Sequence, residues 1–135
     1  MPNRDADARR PDLRLDVWQF VRLMVQLEET LAAAPGKGAG TALRRLFERW
    51  EDVWVDLDAR LVDLGQHDMD GFADLMMNQE VVLDAVTEPE RRLVAAELEK
   101  VARAIAGRLA VTDDPGDVED LSFERDALRD LLRGL

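Results

Sequence analysis

The chain has 135 residues and a formal net charge of −11, with one histidine and neither cysteine nor tyrosine. This composition excludes disulfides, cysteine nucleophiles and cysteine-ligated metal sites, and one histidine cannot supply the histidine pairs of many zinc and di-iron sites. The acidic balance argues against binding to nucleic acid or to an anionic membrane, because both require clustered lysine and arginine side chains.

The start of the chain lacks the apolar segment of a signal peptide, and no later stretch approaches the roughly 20 apolar residues of a membrane-spanning helix. We therefore expect a cytoplasmic protein. Residues 1–10 are charged and have no apolar periodicity, which predicts a mobile tail. Residues 11–135 are expected to form a single helical domain.

Two long helices are predicted first. From Pro11 onward, apolar residues recur at alternating steps of four and three, the spacing of one buried helical face. The Pro- and Gly-rich residues 35–40 end this helix, and Thr41 is expected to cap a second helix that ends at Gly65. The two buried faces consist of Leu13, Val17, Phe20, Met24, Leu27, Leu31 and Ala34, and of Leu43, Phe47, Trp50, Trp54, Leu57, Leu61 and Leu64.

The charges of these two helices predict an antiparallel hairpin. Acidic residues near the end of the first helix and arginines near the start of the second oppose the helix dipoles, and they would neutralise each other if the helices folded back. The expected neighbours are Glu28 and Glu29 with Arg44, Arg45 and Arg49, Arg22 with Glu51 and Asp52, and Arg10 and Arg14 with Asp58 and Asp63.

Three further helices are predicted, the third starting near Asp70. Thr87 and Pro89 are typical of a cap and first turn, so a fourth helix is expected to start there. After a turn at residues 112–116, a shorter helix is expected over residues 117–133. The inward residues are Phe72, Leu75, Met76, Val82, Leu83 and Val86, then Val94, Leu98, Val101 and Ile105, then Leu121, Phe123, Ala127, Leu128, Leu131 and Leu132.

No segment alternates convincingly as a strand. The expected fold is therefore all-α, an antiparallel bundle of four main helices with a shorter C-terminal helix, in which the first two helices form a long hairpin.

The candidate chemical sites have simple structural explanations. Glu48, Asp52 and neighbouring acids on the second helix have arginines at helical spacing, which indicates a solvated acidic face. His67 lies in a connecting turn between acidic residues that can hold its ring. Residues 35–40 join two helices and lack the pattern of a phosphate-binding loop. We predict no catalytic, cofactor-binding or metal-binding residue and expect no enzyme.

The apolar belt of the second helix is wider than one neighbouring helix requires, and methionines suit surfaces that adapt to a partner. Core packing is the favoured interpretation of its tryptophans, and the hypothesis beside it is a surface for a protein partner or for self-association. This surface comprises Trp50, Trp54, Val55, Val62, Met69, Met76 and Met77. An acidic surface that could meet a basic partner comprises Asp56, Asp58, Asp63, Asp68 and Asp70.

These features favour a non-catalytic interaction module: an adaptor, an assembly factor or a small acidic export-type chaperone, with a homodimer among the expected assemblies. Residues 64–75 resemble the helix–short turn–helix rhythm of flagellar export chaperones, which are likewise short, acidic and helical. One alternative is an inhibitor or immunity-type protein whose acids bind a basic target. Another is a ligand-binding bundle or enzyme with an internal pocket, for which the candidate polar residues are Asn78, Gln79, Arg22 and Arg92.

Overall fold

The structure is a computed structural model that describes residues 12–33 and 39–135. Helices dominate this part of the chain, which confirms the predicted helical class, and a small two-stranded sheet accompanies them. The predicted tail at residues 1–10, Pro11, Ala34 and most of the predicted interhelical loop lie outside the described residues. The elements are β1 (Leu13–Asp16), α1 (Val17–Ala33), α2 (Ala39–His67), α3 (Met69–Asn78), β2 (Glu80–Leu83), α4 (Glu88–Val111) and α5 (Pro115–Gly134).

The two strands are a correction to the prediction that the chain has none. Strands β1 and β2 pair antiparallel, with Leu13 opposite Leu83 and Leu15 opposite Val81. These four side chains are buried, while Arg14 and its partner in register point to solvent. The spacing of Leu13 and Val17 fits both a helix and a strand, and the burial of Leu15 between them follows the period of two that a half-buried strand requires.

The sheet also shortens the predicted third helix. Helix α3 ends at Asn78, and the chain continues in extended conformation through Gln79, whose carbonyl accepts a hydrogen bond from the Val17 N–H at 3.2 Å. Val82 and Leu83, predicted to share a helical face, instead lie on opposite faces of β2, with Val82 exposed and Leu83 buried. Val86 is buried after the turn that follows β2 and is not part of a helix.

Helix α1 is the centre of the described core and packs against α2, α3 and α4. Its side chains Phe20, Met24 and Leu27 are fully buried, as the apolar spacing predicts, and Leu23, which lies outside the predicted face, is fully buried as well. The ring of Phe20 meets that of Trp54 on α2 edge to face, with centroids 6.4 Å apart. Phe20 precedes residues 34–38 by about as many residues as Trp54 follows them, which is the relation expected of two residues that face each other in a hairpin.

Helix α2 extends beyond both predicted ends, since Thr41 and Gly65 lie inside it. The helix gives way to α3 at Asp68, whose carboxylate accepts a hydrogen bond from the Gly71 N–H at 2.9 Å. A side chain at position 71 would collide with that carboxylate, because an added Cβ would lie 2.5 Å from its oxygen. Gly71 in the first turn of α3 is therefore required by the cap.

Helices α4 and α5 start at caps and pack against each other. Thr87 and Glu90 form a reciprocal capping box, with Pro89 in the first turn, which confirms the predicted start of α4. Helix α5 begins at Pro115, two residues earlier than predicted, because Asp114 caps it by accepting from the Asp117 N–H at 3.1 Å. The acidic first turns and basic last turns of both helices agree with their dipoles.

The predicted ion pairs between the first two helices are wrong within the described residues. Arg14 contacts Glu80 across the sheet at 3.3 Å, Arg22 contacts Glu124 on α5 at 3.3 Å, and Arg49 contacts Glu90 on α4 at 3.1 Å. Each of these three arginines pairs with an acid outside the predicted hairpin, because β2, α5 and α4 bring their own acids within reach. Arg10 lies outside the described residues.

The capping box of α4 makes a direct prediction for stability. Replacing Thr87 with alanine removes the hydroxyl that accepts from the Glu90 N–H, and we expect the free energy of unfolding to fall by about 1 kcal/mol. Urea denaturation at neutral pH measures this change. Thr112→Ala, at the other end of the same helix, is the control and should change stability by less than about 0.5 kcal/mol. Equal losses in both variants would contradict the capping role.

Glu90 predicts how this end of α4 responds to acid. Partial burial raises the pKa of its carboxyl, but hydrogen bonds from Thr87 and Arg49, together with the charge of Arg49, outweigh burial and lower the pKa below its ordinary value. The resulting stabilisation is present above the unfolded-state pKa and is lost as pH falls through the folded-state pKa. Glu90→Gln should therefore be less stable than wild type at neutral pH, and the gap should close in acid. Exposed Glu99→Gln is the control, and a gap that persists in acid would refute the assignment.

Candidate functional site

A cleft of about 560 Å³ opens where the start of α1, the end of α3 and the first half of α5 meet. Half of its lining residues are acidic, the other half are apolar, and none is basic. We call it the acidic cleft; its lining residues are Asp16, Trp18, Met77, Glu119, Asp120, Phe123, Glu124 and Ala127.

The junction between β1 and α1 builds one wall of the acidic cleft. The Asp16 carboxylate accepts from the Gln19 N–H at 2.7 Å, and the Gln19 side-chain carbonyl accepts from the Asp16 N–H at 3.0 Å. This is a capping box, which ends the strand and starts the helix within one residue. The buried Gln19 amide also reaches α5, with its nitrogen 3.5 Å from the Ala127 carbonyl oxygen. The same glutamine therefore sets the start of α1 and contacts the opposite wall.

Burial changes the protonation of the capping carboxylate. Partial burial raises the pKa of Asp16, and the hydrogen bond from the Gln19 backbone opposes this effect without cancelling it. Asp16 therefore holds its proton more strongly than an exposed aspartate. It is the one cleft-lining acid whose carboxylate is committed to a helix cap.

Trp18 and Arg22 form the second feature of the α1 wall. The guanidinium carbon of Arg22 lies 5.5 Å from the centroid of the Trp18 ring, a cation–π contact. The same guanidinium donates to Glu124 on α5, at 3.3 Å between Nη2 and Oε1. An arginine is thus held between an aromatic face and a carboxylate at the edge of the acidic cleft.

The apolar part of the acidic cleft is unusually open to solvent. Phe123 is 60% exposed and Met77 is 51% exposed, although each is a large apolar side chain. Phe123 was predicted to point inward with Leu121 and Leu128, and that prediction is wrong. Leu121 and Leu128 are seven residues apart and share the buried face of α5, whereas Phe123 is rotated by about 200° from Leu121 at 100° per residue.

The acidic rim lies mainly on α5. Glu119 and Asp120 are exposed, and neither forms an ion pair with another residue of the described part of the chain. Glu124, one turn further on, is half-buried and is the acid that receives Arg22. Within the described part of the chain, two carboxylates of the rim therefore have no ion-pair partner.

The residues of the predicted partner surface are dispersed in the structure. Trp50 is buried in the core and Trp54 is half-buried against Phe20, which is the packing alternative considered for both. Val55 and Val62 lie on the exposed face of α2, 60% and 54% exposed. Of the three methionines, Met69 is exposed at the start of α3, Met76 is half-buried, and Met77 alone lines the acidic cleft.

The predicted acidic surface lies at the end of α2 and the start of α3, and all five of its aspartates are exposed. Asp63 lies 3.9 Å from the His67 ring nitrogen, and Asp68 is used as the cap of α3. None of the five lines the acidic cleft.

Of the polar residues considered for an internal pocket, Asn78, Gln79 and Arg92 are exposed, while Arg22 is partly buried between Trp18 and Glu124. Asn78 donates to Asp74 at 2.7 Å, and Arg92 lies 3.7 Å from Glu88 on its own helix. The buried polar cluster lies elsewhere, where the Glu97 carboxylate, 4% exposed, accepts from Thr30 on α1 and pairs with Lys100 at 3.0 Å. Because these partners satisfy one another, we interpret the cluster as a tie between α1 and α4.

The predicted partner and acidic surfaces omit Trp18, Glu119 and Asp120, although the sequence shows an excess of acidic residues over residues 113–120. Trp18 lies off the apolar spacing of α1, and a large aromatic off the buried face is a signal for an exposed role. The pattern from Asp16 to Gln19 matches a capping box and could have located the start of α1.

Within residues 12–33 and 39–135, no three or more acidic or histidine side chains are grouped in a way that could hold a metal ion. In the same residues, no helix combines the length and apolar character that crossing a membrane would require. No protein-family model matches the sequence, and no match was found among curated proteins or solved structures.

We expect two substitutions of Asp16, by asparagine and by alanine, to differ in their effect on the free energy of unfolding. Because the folded state raises its pKa, the contribution of this group to stability is complete below the unfolded-state pKa and is lost as pH rises through the folded-state pKa. An asparagine side chain would cap as well as aspartate without burying a charge, so Asp16→Asn should be at least as stable as wild type at neutral pH. Asp16→Ala loses the cap and should be less stable by about 1 kcal/mol. Urea denaturation checks both, and equal destabilisation would contradict this interpretation.

Proposed function

We propose that the protein is a non-catalytic interaction module that binds a segment of a partner protein in the acidic cleft. The observation that carries this proposal is the exposure of Phe123 and Met77 in one cleft, beside Trp18. Large apolar side chains left in contact with water at a concave surface are typical of a binding site, because docking removes that surface from solvent.

The composition of the acidic cleft supports recognition of a protein segment. Trp, Phe and Met are enriched where proteins bind one another, and methionine adapts its shape to the side chain that it meets. The cleft volume of about 560 Å³ accommodates a few side chains, which suits a short segment better than a folded face. An adaptor, an assembly factor and an export-type chaperone would all use such a site.

A second candidate surface is the exposed face of α2. Val55 and Val62 lie one heptad apart on this face, and Asp56, Asp58 and Asp63 are exposed near them. This arrangement favours the alternative function, an acidic inhibitor that binds a basic target, and it is also where a second copy of the chain would pack. Neither valine lines the acidic cleft.

Matched substitutions on the two surfaces test the proposal. Wild type, Met77→Arg and Val55→Arg serve as baits for affinity capture from host extract, followed by identification of the retained proteins by mass spectrometry. Both positions are more than half exposed, so neither substitution should unfold the chain. We expect Met77→Arg to lose the specific partner by at least about tenfold, because a cation would be placed in the docking site, while Val55→Arg retains it.

Loss of the partner by Val55→Arg and its retention by Met77→Arg would place the interface on α2 and support the second candidate. Retention of the same partner by both variants would contradict docking through either apolar surface. Light scattering of the same three proteins reports whether Val55→Arg alters self-association.

A further inference from the structure

We infer that the partner segment of the acidic cleft carries an arginine side chain next to an apolar one. This inference deepens the proposed function and rests on it. It specifies the chemistry of the occupant from three features: the charge of the lining, the way the protein already holds Arg22, and the position of the exposed apolar side chains.

The charge of the lining requires a cationic occupant. Four of the eight lining residues are carboxylates and none is basic, in a chain whose net charge is −11. An acidic segment would be repelled, and a purely apolar segment would strip water from Glu119 and Asp120 without replacing its hydrogen bonds. A cation would neutralise these carboxylates as it covers them.

The charge of the acidic cleft distinguishes it from the other concavities. Two smaller depressions, of about 290 and 180 Å³, are each lined by arginines as well as by acids. Arginines equal the acidic side chains in number in the larger depression and outnumber them two to one in the smaller, so neither lining attracts a cation as the acidic cleft does. Among these concavities, charge selects the acidic cleft as the site for a cation.

The contacts of Arg22 indicate that the cation is a guanidinium. Arg22 lies against the Trp18 ring on α1 and donates to Glu124 on α5, so an arginine is already held between an aromatic face and a carboxylate at the edge of the cleft. Glu119 and Asp120, on the same helix as Glu124, have no ion-pair partner within the described part of the chain. A planar guanidinium can donate to one or two carboxylate oxygens at once, whereas a lysine ammonium lacks this fixed fork.

The exposed apolar side chains supply the second half of the recognition. Phe123 and Met77 line the same cleft as the acidic rim, so a side chain adjacent to the arginine would cover them. Burial of a leucine-sized group contributes favourably at about 25 cal/mol per Å² of apolar surface removed from water. We therefore expect the acidic cleft to recognise a pair of side chains, one cationic and one apolar.

Four synthetic peptides test this specificity. They share a Gly/Ser framework of eight residues and differ only in a pair that occurs twice: Arg-Leu, Lys-Leu, Arg-Ser or Glu-Leu. Titration into the full-length ¹⁵N-labelled protein is followed by NMR. We expect the Arg-Leu peptide to bind at least about tenfold more tightly than Arg-Ser and Glu-Leu, and more tightly than Lys-Leu. The indole N–H signal of Trp18 should move, while that of the buried Trp50 stays in place.

Matched variants locate the binding. The double variant Glu119→Gln with Asp120→Asn should weaken binding of the Arg-Leu peptide by about tenfold and reduce the preference for Arg-Leu over Glu-Leu. Phe123→Ala should reduce the preference for Arg-Leu over Arg-Ser. Asp56→Asn with Asp58→Asn on α2 is the control, since it removes the same number of exposed charges outside the cleft. Thermal denaturation checks that each variant remains folded.

Equal affinities across the four peptides, no measurable binding of Arg-Leu, or equal weakening by the α2 control would each overturn the inference. These outcomes are separate from failure of the proposed function. If Met77→Arg loses the partner but the peptides show no preference for arginine, the proposed interaction module is supported and the arginine-containing occupant is refuted. A partner that is insensitive to Met77→Arg would refute the module itself.

Discussion

The fold around the acidic cleft depends on one local interaction, the capping box between Asp16 and Gln19. It stops the extended chain at Asp16 and starts α1 at Val17, so the preceding residues can pair with β2 instead of continuing the helix. Because the helix starts there, the fully buried face of α1 falls on Phe20, Met24 and Leu27, and Trp18 is left beside α5.

Polar contacts then fix the two neighbours of α1 that matter for the site. Glu97 and Lys100 bind Thr30 near the end of α1, and this pairing requires α4 to lie alongside it. At the other end, Gln19 and Arg22 reach α5. In the first set Glu97 is buried and fully paired, so it specifies packing. In the second set Gln19 is buried, whereas Arg22 is partly open to water.

The sequence predicted the elements whose signals are local and failed where two elements compete for the same residues. The start of α4 was predictable because Thr87, Pro89 and Glu90 form a complete cap within four positions. The sheet was not, since each strand has four residues and its stability comes from a partner more than 60 positions away. The ion pairs failed for the same reason: Arg22 has an acid on α5 within reach, and helical spacing along α1 and α2 contains no information about α5.

The candidate site was hidden from the sequence by the way its residues are distributed. Trp18, Met77 and Phe123 come from three helices, and none belongs to a motif. Phe123 was assigned to the core because its residue type is usually buried, yet its position relative to Leu121 and Leu128 places it on the solvent face. An aromatic ring that lies off the buried face of its helix is exposed to water, and it gains no packing contacts with the core of the free protein. This contradiction between residue type and helical position is the reason that the proposed binding site includes Phe123.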